Sequence, residues 1–433
     1  MLLYSTNNPS LKADLKEAVL KSLAPDKGLY MPEVIPTLPA DFIQALPNLS
    51  FQEIAFEVAK TLFQGYIPET DLKNIIERSI TFQAPVHMFD DRKGSLELWH
   101  GPSLAFKDFG ARFMAALMSY FNKENEKKLS ILVATSGDTG GAVAFGFLDV
   151  PGIEVTILYP KGKVSLLQEK QLTTLGSNIK AIEIDGTFDD CQALVKEAFL
   201  DKELNAVYQL SSANSINIAR LIPQSFYYFE AFKQLKSFGD EIVFAVPSGN
   251  FGNLTAGLIA KRMGLPVAKF IAATNINKIV PDYLVSGLYE PRTSISTISN
   301  AMDVGNPSNF ARMFDLYNGD VEAMKKDMVG YYVTDEETKT TLREIYQKYH
   351  YVADPHGAVA FKALESYMEG HPQAVGAFFE TAHPSKFEDV VNDALGIEVE
   401  IPERLAVLAS REKQATSMRA DFSDFKKHLL SIV

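Results

Sequence analysis

The chain has 433 residues, of which 46% are hydrophobic and 22% are charged, and this composition is typical of an ordinary globular protein with two or three domains. Its formal net charge of −12 at pH 7 argues against a nucleic-acid-binding surface, which would require a basic stripe. The single cysteine, Cys191, excludes internal disulfides and cysteine-rich zinc sites, and we expect no metal centre.

The N-terminal part of the chain is predicted to be an accessory domain. Residues Met1–Asn8 turn polar at once and lack the positive region and apolar core of a signal peptide. No apolar run is long enough to span a bilayer, so we expect a cytoplasmic protein without a membrane partner. Helical patterns are predicted over Ser10–Leu23, Phe51–Phe63 and Glu69–Ser79.

From about Leu96 onward, short apolar runs alternate with helical segments. Strands are predicted over Ser130–Thr135, Ile153–Tyr159, Ile179–Ile184, Glu241–Val246 and Lys269–Thr274. Helices are predicted between them, with one long helix over Asn214–Leu235 and a last one over Asp421–Leu430. Strands separated by helices of this length indicate βαβ units and a parallel sheet.

One lysine lies in an unusually apolar stretch, His100–Gly110. The neighbours of Lys107 are Leu104, Ala105, Phe106 and Phe109. Removing a lysine from water lowers the pKa of its amine and makes it nucleophilic, as Schiff-base chemistry requires. The alternative is that Lys107 begins an amphipathic helix reaching to about Phe121 and extends its ammonium group to solvent.

Two glycine-rich loops follow predicted strands and precede predicted helices: Ser136–Gly140 and Gly249–Asn253. A helix N-terminus offers unpaired N–H groups, and glycine lets an anion approach the backbone, so the pair indicates anion binding at the carboxyl ends of parallel strands. The alternative is two tight turns. Neither loop has a nucleotide-binding fingerprint, and the motifs of zinc and serine hydrolases are absent from the sequence.

A polar segment, Asn214–Arg220, precedes the predicted long helix. Asn214, Asn217 and Arg220 are three residues apart and would share a helix face, where amide and guanidinium groups suit a phosphate. The alternative is an ordinary helix cap and a solvated turn. Further along, Thr381 places a hydroxyl group directly after an apolar strand.

Four segments together resemble those of one enzyme family, and they occur here in the same order: His100–Gly110, Ser136–Gly140, Gly249–Asn253 and Thr381–Pro384. The chain resembles the threonine synthases, which are pyridoxal-phosphate (PLP) enzymes of fold type II in the tryptophan synthase β-like family. The resemblance covers nearly the whole chain, including Gly28–Pro32. The four motifs together are highly specific, whereas each alone would be weak.

This resemblance implies an α/β fold with two parallel-sheet subdomains, the cofactor between them, and a mainly helical N-terminal domain. The boundaries we predict are 1–95 for the N-terminal accessory domain, 126–239 for the small substrate-side domain, and 96–125 together with 240–433 for the large PLP-binding domain.

The resemblance also implies the cofactor ligands. Lys107 would hold PLP as a Schiff base, and Thr381 would bond the pyridine nitrogen. The loop formed by Gly249, Asn250, Phe251, Gly252 and Asn253 would hold the cofactor phosphate through backbone N–H groups. Many fold-type-II enzymes have asparagine where this chain has Asp138, and that amide bonds the phenolic oxygen of the cofactor. An aspartate there would either keep a proton or repel that oxygen, although the longer-chain threonine synthases also use aspartate.

The implied substrate ligands come from two other segments. Ser136, Gly137 and Thr139 would receive the substrate, with the backbone around Gly137 facing its carboxylate. The substrate phosphate would be held by Asn214, Ser215 and Arg220 together with Thr139.

The implied activity is that of a carbon–oxygen lyase acting on a phosphate ester. It would convert O-phospho-L-homoserine and water to L-threonine and phosphate by γ-elimination and β-hydration, the last step of threonine biosynthesis, as a monomer or homodimer. The alternatives are a related serine or threonine dehydratase, a small-molecule-binding regulator that has lost catalysis, and a structural scaffold. A dehydratase would not need the phosphate site at Asn214–Arg220.

Overall fold

The computed structural model describes residues 1–123, 125 and 127–431. Within these residues the chain forms three sheets with helices packed around them. The strands are β1 (Leu2–Ser5), β2 (Lys12–Asp14), β3 (Tyr30–Pro32), β4 (Val86–Met88), β5 (Lys93–Glu97), β6 (Leu129–Ala134), β7 (Ile153–Pro160), β8 (Ile179–Asp185), β9 (Gln209–Ser212), β10 (Glu241–Pro247), β11 (Lys269–Thr274), β12 (Met328–Tyr332), β13 (Ala374–Glu380) and β14 (Thr416–Arg419).

The helices alternate with these strands over most of the chain. They are α1 (Leu15–Lys21), α2 (Ala40–Ala45), α3 (Phe51–Phe63), α4 (Glu69–Ser79), α5 (Lys107–Asn122), α6 (Asp138–Phe147), α7 (Leu166–Thr173), α8 (Phe188–Leu200), α9 (Lys202–Val207), α10 (Ile218–Leu221), α11 (Phe226–Leu235), α12 (Gly252–Arg262), α13 (Ile279–Ser286), α14 (Phe310–Leu316), α15 (Val321–Asp327), α16 (Asp335–Tyr349), α17 (Pro355–Glu369), α18 (Glu388–Leu395), α19 (Glu403–Ala409) and α20 (Phe422–Ser431).

Two of the sheets are built mainly from parallel strands, as predicted. The six-stranded sheet has the order β12-β11-β10-β13-β5-β4, in which only the edge strand β4 runs antiparallel to its neighbour. The five-stranded sheet has the order β14-β8-β7-β6-β9 and is parallel throughout. Every residue of β6 and β13 is buried, because helices cover both faces of such sheets.

The N-terminal region is mainly helical, but its first segment differs from the prediction. Lys12–Asp14 is a strand in a small antiparallel sheet of order β2-β1-β3, so a helix from Ser10 is wrong. The helix begins at Leu15 because the Asp14 carboxylate accepts a hydrogen bond from the Glu17 N–H group and caps it. Helices α3 and α4 have the predicted bounds.

Two strands belong to a sheet of a different predicted domain from the one that contains their residues. Strand β4 pairs with β5 in the six-stranded sheet, although it lies within 1–95. Strand β14 pairs with β8 in the five-stranded sheet, although it lies within 240–433. Both are short edge strands, and β14 pairs with a strand that lies far from it in the chain.

The predicted long helix over Asn214–Leu235 is wrong as a single element. The chain turns at 214–217, forms α10, continues as a 3₁₀ turn over Ile222–Ser225 and then forms α11. Pro223 lies in the 3₁₀ turn, where its missing N–H group prevents regular α-helical bonding. The last predicted helix is confirmed, since α20 covers Phe422–Ser431.

In the part of the chain that the structure describes, no helix combines the length and the apolar character needed to cross a membrane.

Candidate active site

Lys107 is the first residue of α5, and the segment before it is fixed against the end of β13. The Phe106 N–H group donates to the Thr381 carbonyl at 2.8 Å, and Ala105 forms an antiparallel bridge with Ala382. Leu104 adopts a left-handed conformation, with φ 58°, that turns the chain into this bridge. Two segments far apart in the sequence, carrying Lys107 and Thr381, are therefore held side by side.

The Lys107 side chain lies mostly inside the protein and faces a carboxylate. Its exposed fraction is 19%, and its ammonium nitrogen lies 4.0 Å from Asp138 Oδ2. Burial lowers the pKa of Lys107, and although Asp138 acts to raise it, the charges of Lys386 and Arg220 lower it further. The predicted desolvated lysine, rather than one extended to solvent, is what the structure contains.

Asp138 lies between two lysines. Its Oδ1 is 2.6 Å from the Lys386 ammonium nitrogen and accepts a hydrogen bond from Gln168 Nε2 at 3.0 Å. Burial acts to raise the pKa of Asp138, but the positive charges of Lys386 and Lys107 outweigh it and hold this pKa well below its usual range. The two neighbouring lysines therefore favour the ionised form of Asp138.

Lys386 is a site residue that sequence reasoning missed. It lies in the 3₁₀ turn Pro384–Phe387 after β13, and its side chain is fully buried. Its neighbours Ser385, Glu388 and Asp389 are polar, so the sequence held no local signal that this lysine is buried. Nothing in its spacing identified Asp138 as its partner.

The loop Gly249–Asn253 has the geometry predicted for an anion site. Strand β10 ends at Pro247, Phe251 adopts a left-handed conformation (φ 60°), and α12 begins at Gly252. Among the hydrogen bonds of the described residues, none uses the N–H groups of Phe251, Gly252 or Asn253. A Cβ atom on Gly249 would lie 2.5 Å from the Ala301 carbonyl oxygen, so only glycine fits there.

The two asparagine side chains of this loop are engaged by the protein. Asn250 Oδ1 accepts hydrogen bonds from the N–H and hydroxyl groups of Ser308, and Asn253 Nδ2 donates to the Pro247 carbonyl at 2.8 Å. The backbone N–H groups of Phe251, Gly252 and Asn253 are therefore available to a ligand, whereas the Asn253 amide is not.

Two buried donors have no partner within the described residues, and one of them lies beside this loop. Asn309 Nδ2 lies 3.4 Å from the position that a Cβ atom on Gly252 would take, and Arg220 Nε is likewise unpartnered. Gln224 links the two places, because its Nε2 donates to the Arg220 carbonyl and also lies near Gly252. Orphaned donors beside free helix N–H groups fit a phosphorylated ligand.

Arg220 reaches the helix that carries Lys107. It is 3% exposed, its Nη1 donates to the Ala213 carbonyl at 2.6 Å, and its Nε would lie 2.8 Å from a Cβ atom on Gly110 in α5. Burial lowers the pKa of Arg220 to about 10, which leaves it cationic at neutral pH. Arg220 thus brings a buried positive charge to the Lys107 side of the site.

The predicted helix face of Asn214, Asn217 and Arg220 is wrong, because α10 begins only at Ile218. Asn217 caps that helix, and its Nδ2 donates to the Val19 carbonyl and the Ser22 hydroxyl. Asn214 and Ser215 lie half-buried in the preceding turn.

The loop Ser136–Gly140 is shaped by a residue that sequence reasoning missed. Thr135 Oγ1 accepts hydrogen bonds from the N–H groups of Gly137 and Gly140 and fixes the turn into α6. Ser136 is exposed, Thr139 is half-buried, and Gly137 has φ 142°. The loop therefore presents its backbone beside Asp138 and Lys107.

Comparison with known proteins identifies the family. A model described as pyridoxal-phosphate dependent enzyme matches residues 96–376, and models described as threonine synthase N terminus and threonine synthase, C-terminal match residues 3–80 and 357–429. A curated threonine synthase from Haemophilus influenzae is 44% identical over 434 residues, covering 99% of this chain and 100% of the relative. The chain belongs to the threonine synthase family.

Solved structures of the threonine synthase family support the same conclusion. The crystal structure of threonine synthase from Escherichia coli is 42% identical with a TM-score of 0.92, and each chain is fully covered. The structure of PLP-bound threonine synthase from Brucella melitensis is 35% identical with a TM-score of 0.94, covering 99% of this chain and 98% of that one. The predicted fold class, the PLP cofactor and the threonine synthase activity, that of a PLP-dependent lyase, are thereby confirmed.

A buried carboxyl group, that of Glu380, directly precedes Thr381 in the chain. The sequence motifs did not predict it. Glu380 is fully buried, and its Oε2 accepts a hydrogen bond from the Asp354 N–H group at 3.0 Å. Burial, reinforced by the negative charge of Asp354, raises the pKa of Glu380 well above its usual range. In the threonine synthase fold seen here, the surroundings of Glu380 at the end of β13 therefore favour its neutral form.

Glu380→Gln is expected to become more stable relative to the wild type as pH rises from about 5 to about 8. A group whose pKa is raised in the folded state stabilises the fold below its unfolded pKa and loses that contribution as pH rises, whereas glutamine does not titrate. Thermal melting of both proteins across this range measures the difference. Glu398→Gln, at an exposed glutamate, is the control; a pH-independent difference at position 380 would contradict the prediction.

Proposed function

We propose that this protein converts O-phospho-L-homoserine and water to L-threonine and phosphate, with PLP bound at Lys107. The observation that carries the proposal is the buried Lys107, which faces the ionised Asp138 and lies on the helix that Arg220 contacts. A nucleophilic amine, a fixed carboxylate and a buried cation are what a phosphorylated amino acid and its cofactor require.

The residues of the site divide into cofactor ligands and substrate ligands. The free N–H groups at Gly249–Asn253, with Asn309 Nδ2, would hold the cofactor phosphate, and the Thr381 hydroxyl group would bond its ring nitrogen. The Gly137 backbone binds the substrate carboxylate, with Ser136 and Thr139 beside it. Arg220 binds the substrate phosphate, together with Thr139, Asn214 and Ser215.

When bound, PLP supplies an electron sink for the carbon that loses a proton. Lys107, as a neutral amine, accepts the Cα proton of the substrate, and a Cβ proton is lost before phosphate leaves Cγ. Cγ then gains one proton, water adds its oxygen at Cβ, and a proton returns to Cα. Arg220 stabilises the phosphate as it leaves and keeps it in place. Because Lys107 is mostly buried, these transfers occur away from bulk water, which enters only for addition at Cβ.

The proposal extends to the setting of the protein. It acts in the cytoplasm as a monomer or homodimer and binds no nucleic acid, in keeping with its formal net charge of −12.

Arg220→Ala is expected to raise KM for O-phospho-L-homoserine by about a hundredfold, because it removes a buried cation from a phosphate. Steady-state release of phosphate measures KM and kcat separately. Arg220→Lys retains the charge and should recover part of the loss, and Arg78→Ala, at an exposed arginine of α4, should change neither constant. An unchanged KM in Arg220→Ala would show that Arg220 does not bind the substrate phosphate.

The proposed reaction is tested by incubating purified protein and PLP with O-phospho-L-homoserine. We expect threonine and phosphate in equal amounts. A protein that binds PLP but yields neither product would overturn the proposed substrate.

A further inference from the structure

Lys386 is a fully buried cation of the site. Its ammonium nitrogen lies 2.6 Å from Asp138 Oδ1 and donates to the Ser103 carbonyl at 2.9 Å. The Ser103 carbonyl also accepts a hydrogen bond from Gln171 Nε2 at 2.9 Å. Lys386 is thus held at one place by fixed acceptors, and its side chain has no exposed surface.

Asp138 faces both lysines, but at unequal distances. Oδ1 is in hydrogen-bond contact with Lys386, whereas Oδ2 lies 4.0 Å from Lys107, beyond hydrogen-bond distance. Since the attraction between charges increases as they approach, Lys386 compensates most of the negative charge of Asp138. Lys386 therefore opposes the attraction of Asp138 for a proton on Lys107.

Two further charged residues lie near Lys107, namely Arg220 and Asp108. Arg220, on α10, opposes a positive charge at Lys107. Asp108, on the same helix as Lys107, turns its carboxylate to the Ser103 N–H group at 2.8 Å, and burial raises its pKa to about 6. The ion pair of Asp138 and Lys386 therefore has the main electrostatic effect on the Lys107 amine.

We propose that Lys386 is a positioning residue for Lys107: by engaging the Asp138 carboxylate, it prevents Asp138 from holding Lys107 as an ammonium ion. The inference deepens the proposed function, on which it rests for the use of that amine. Pairing with Lys386 explains how a buried aspartate can lie 4.0 Å from Lys107 while Lys107 acts as a nucleophile.

Substitutions at Lys386 and at Asp138 should shift the pKa of the Lys107 amine in opposite directions. In Lys386→Met, Asp138 has only Lys107 as a cationic partner, so the amine should hold its proton to higher pH. In Asp138→Asn, two like charges face each other, and the amine should lose its proton at lower pH. The double variant, Lys386→Met with Asp138→Asn, removes both charges and should return the pKa of the Lys107 amine close to its wild-type value.

The test is competitive labelling of amines in the full-length protein freed of PLP. Trace acetic anhydride is applied across a pH series, and the label on the Lys107 peptide is measured by mass spectrometry, with exposed Lys73 as the internal reference. At about pH 8 we expect Lys386→Met to label Lys107 about tenfold more slowly, a shift of about one pKa unit. Asp138→Asn should label it faster, and Lys386→Arg and the double variant should stay within about threefold of wild type.

If Lys386 had only a structural role, every variant would show more labelling of Lys107, because loosened packing would expose Lys107. An unchanged Lys107 profile in folded Lys386→Met would overturn the proposal. If that variant does not fold by circular dichroism, the comparison of Asp138→Asn with the double variant decides: equal profiles would overturn it. Labelling uses neither cofactor nor substrate, so its failure is separate from failure of the proposed reaction.

Discussion

Lys107→Ala is expected to reduce the formation of threonine from O-phospho-L-homoserine by at least about a thousandfold. The substitution removes both the covalent attachment point for PLP and the group proposed to move protons during the reaction. The other cationic side chains facing the site, Lys386 and Arg220, are held by the Ser103 and Ala213 carbonyls and cannot replace it. Single-turnover assays at saturating PLP measure the remaining rate.

Two variants control this experiment. Lys107→Arg keeps a positive charge near Asp138 but has no amine of suitable pKa, so it should be as inactive as alanine. Lys73→Ala, at an exposed position in the middle of α4, should retain full activity. Threonine formation by Lys107→Ala within about tenfold of wild type would refute the assigned role.

Lys107 could be predicted because its signal is local. The apolar residues that surround it lie within a few positions, and the structure buries them: Leu104, Ala105 and Phe109 have no exposed surface. The glycine loops were equally predictable, since Gly137 has a positive φ and Gly249 lies too close to the Ala301 carbonyl for a side chain. Each of these features depends on short-range geometry.

Lys386 could not be predicted in this way. A lysine is ordinarily exposed, and its burial here depends on Asp138, which belongs to α6 beside the five-stranded sheet. Strand β14 had no local signal either, since three of its four residues are exposed and show no apolar alternation. Its place is set by backbone pairing with β8, a contact between distant segments.

The break in the predicted helix over Asn214–Leu235 has a different cause. Apolar periodicity is continuous there, but Pro223 and the capping side chain of Asn217 impose a 3₁₀ turn and a late helix start. The consequence for the site is direct, because Arg220 enters it from a short helix rather than from a shared face with Asn214 and Asn217.

Gly137→Ala is expected to lower kcat by about a hundredfold, the cost of moving a catalytic group by about 1 Å. Gly137 has φ 142° and ψ −93°, which alanine does not adopt without strain. A Cβ atom there would lie 2.6 Å from side-chain atoms of Gln168. Because Gln168 donates to Asp138, the substitution displaces both the start of α6 and the partner of the carboxylate that faces Lys107.

Gly162→Ala is the matched control, because Gly162 also has a positive φ, 65°, but no atom lies within 4 Å of the added Cβ. It should reduce the free energy of unfolding by about 1 kcal/mol and leave kcat unchanged. Urea unfolding and steady-state phosphate release, measured on both proteins, separate backbone strain from displacement of the site. Equal kcat values in the two variants would show that the start of α6 does not position Asp138, whereas a loss confined to Gly137→Ala assigns that role to this turn.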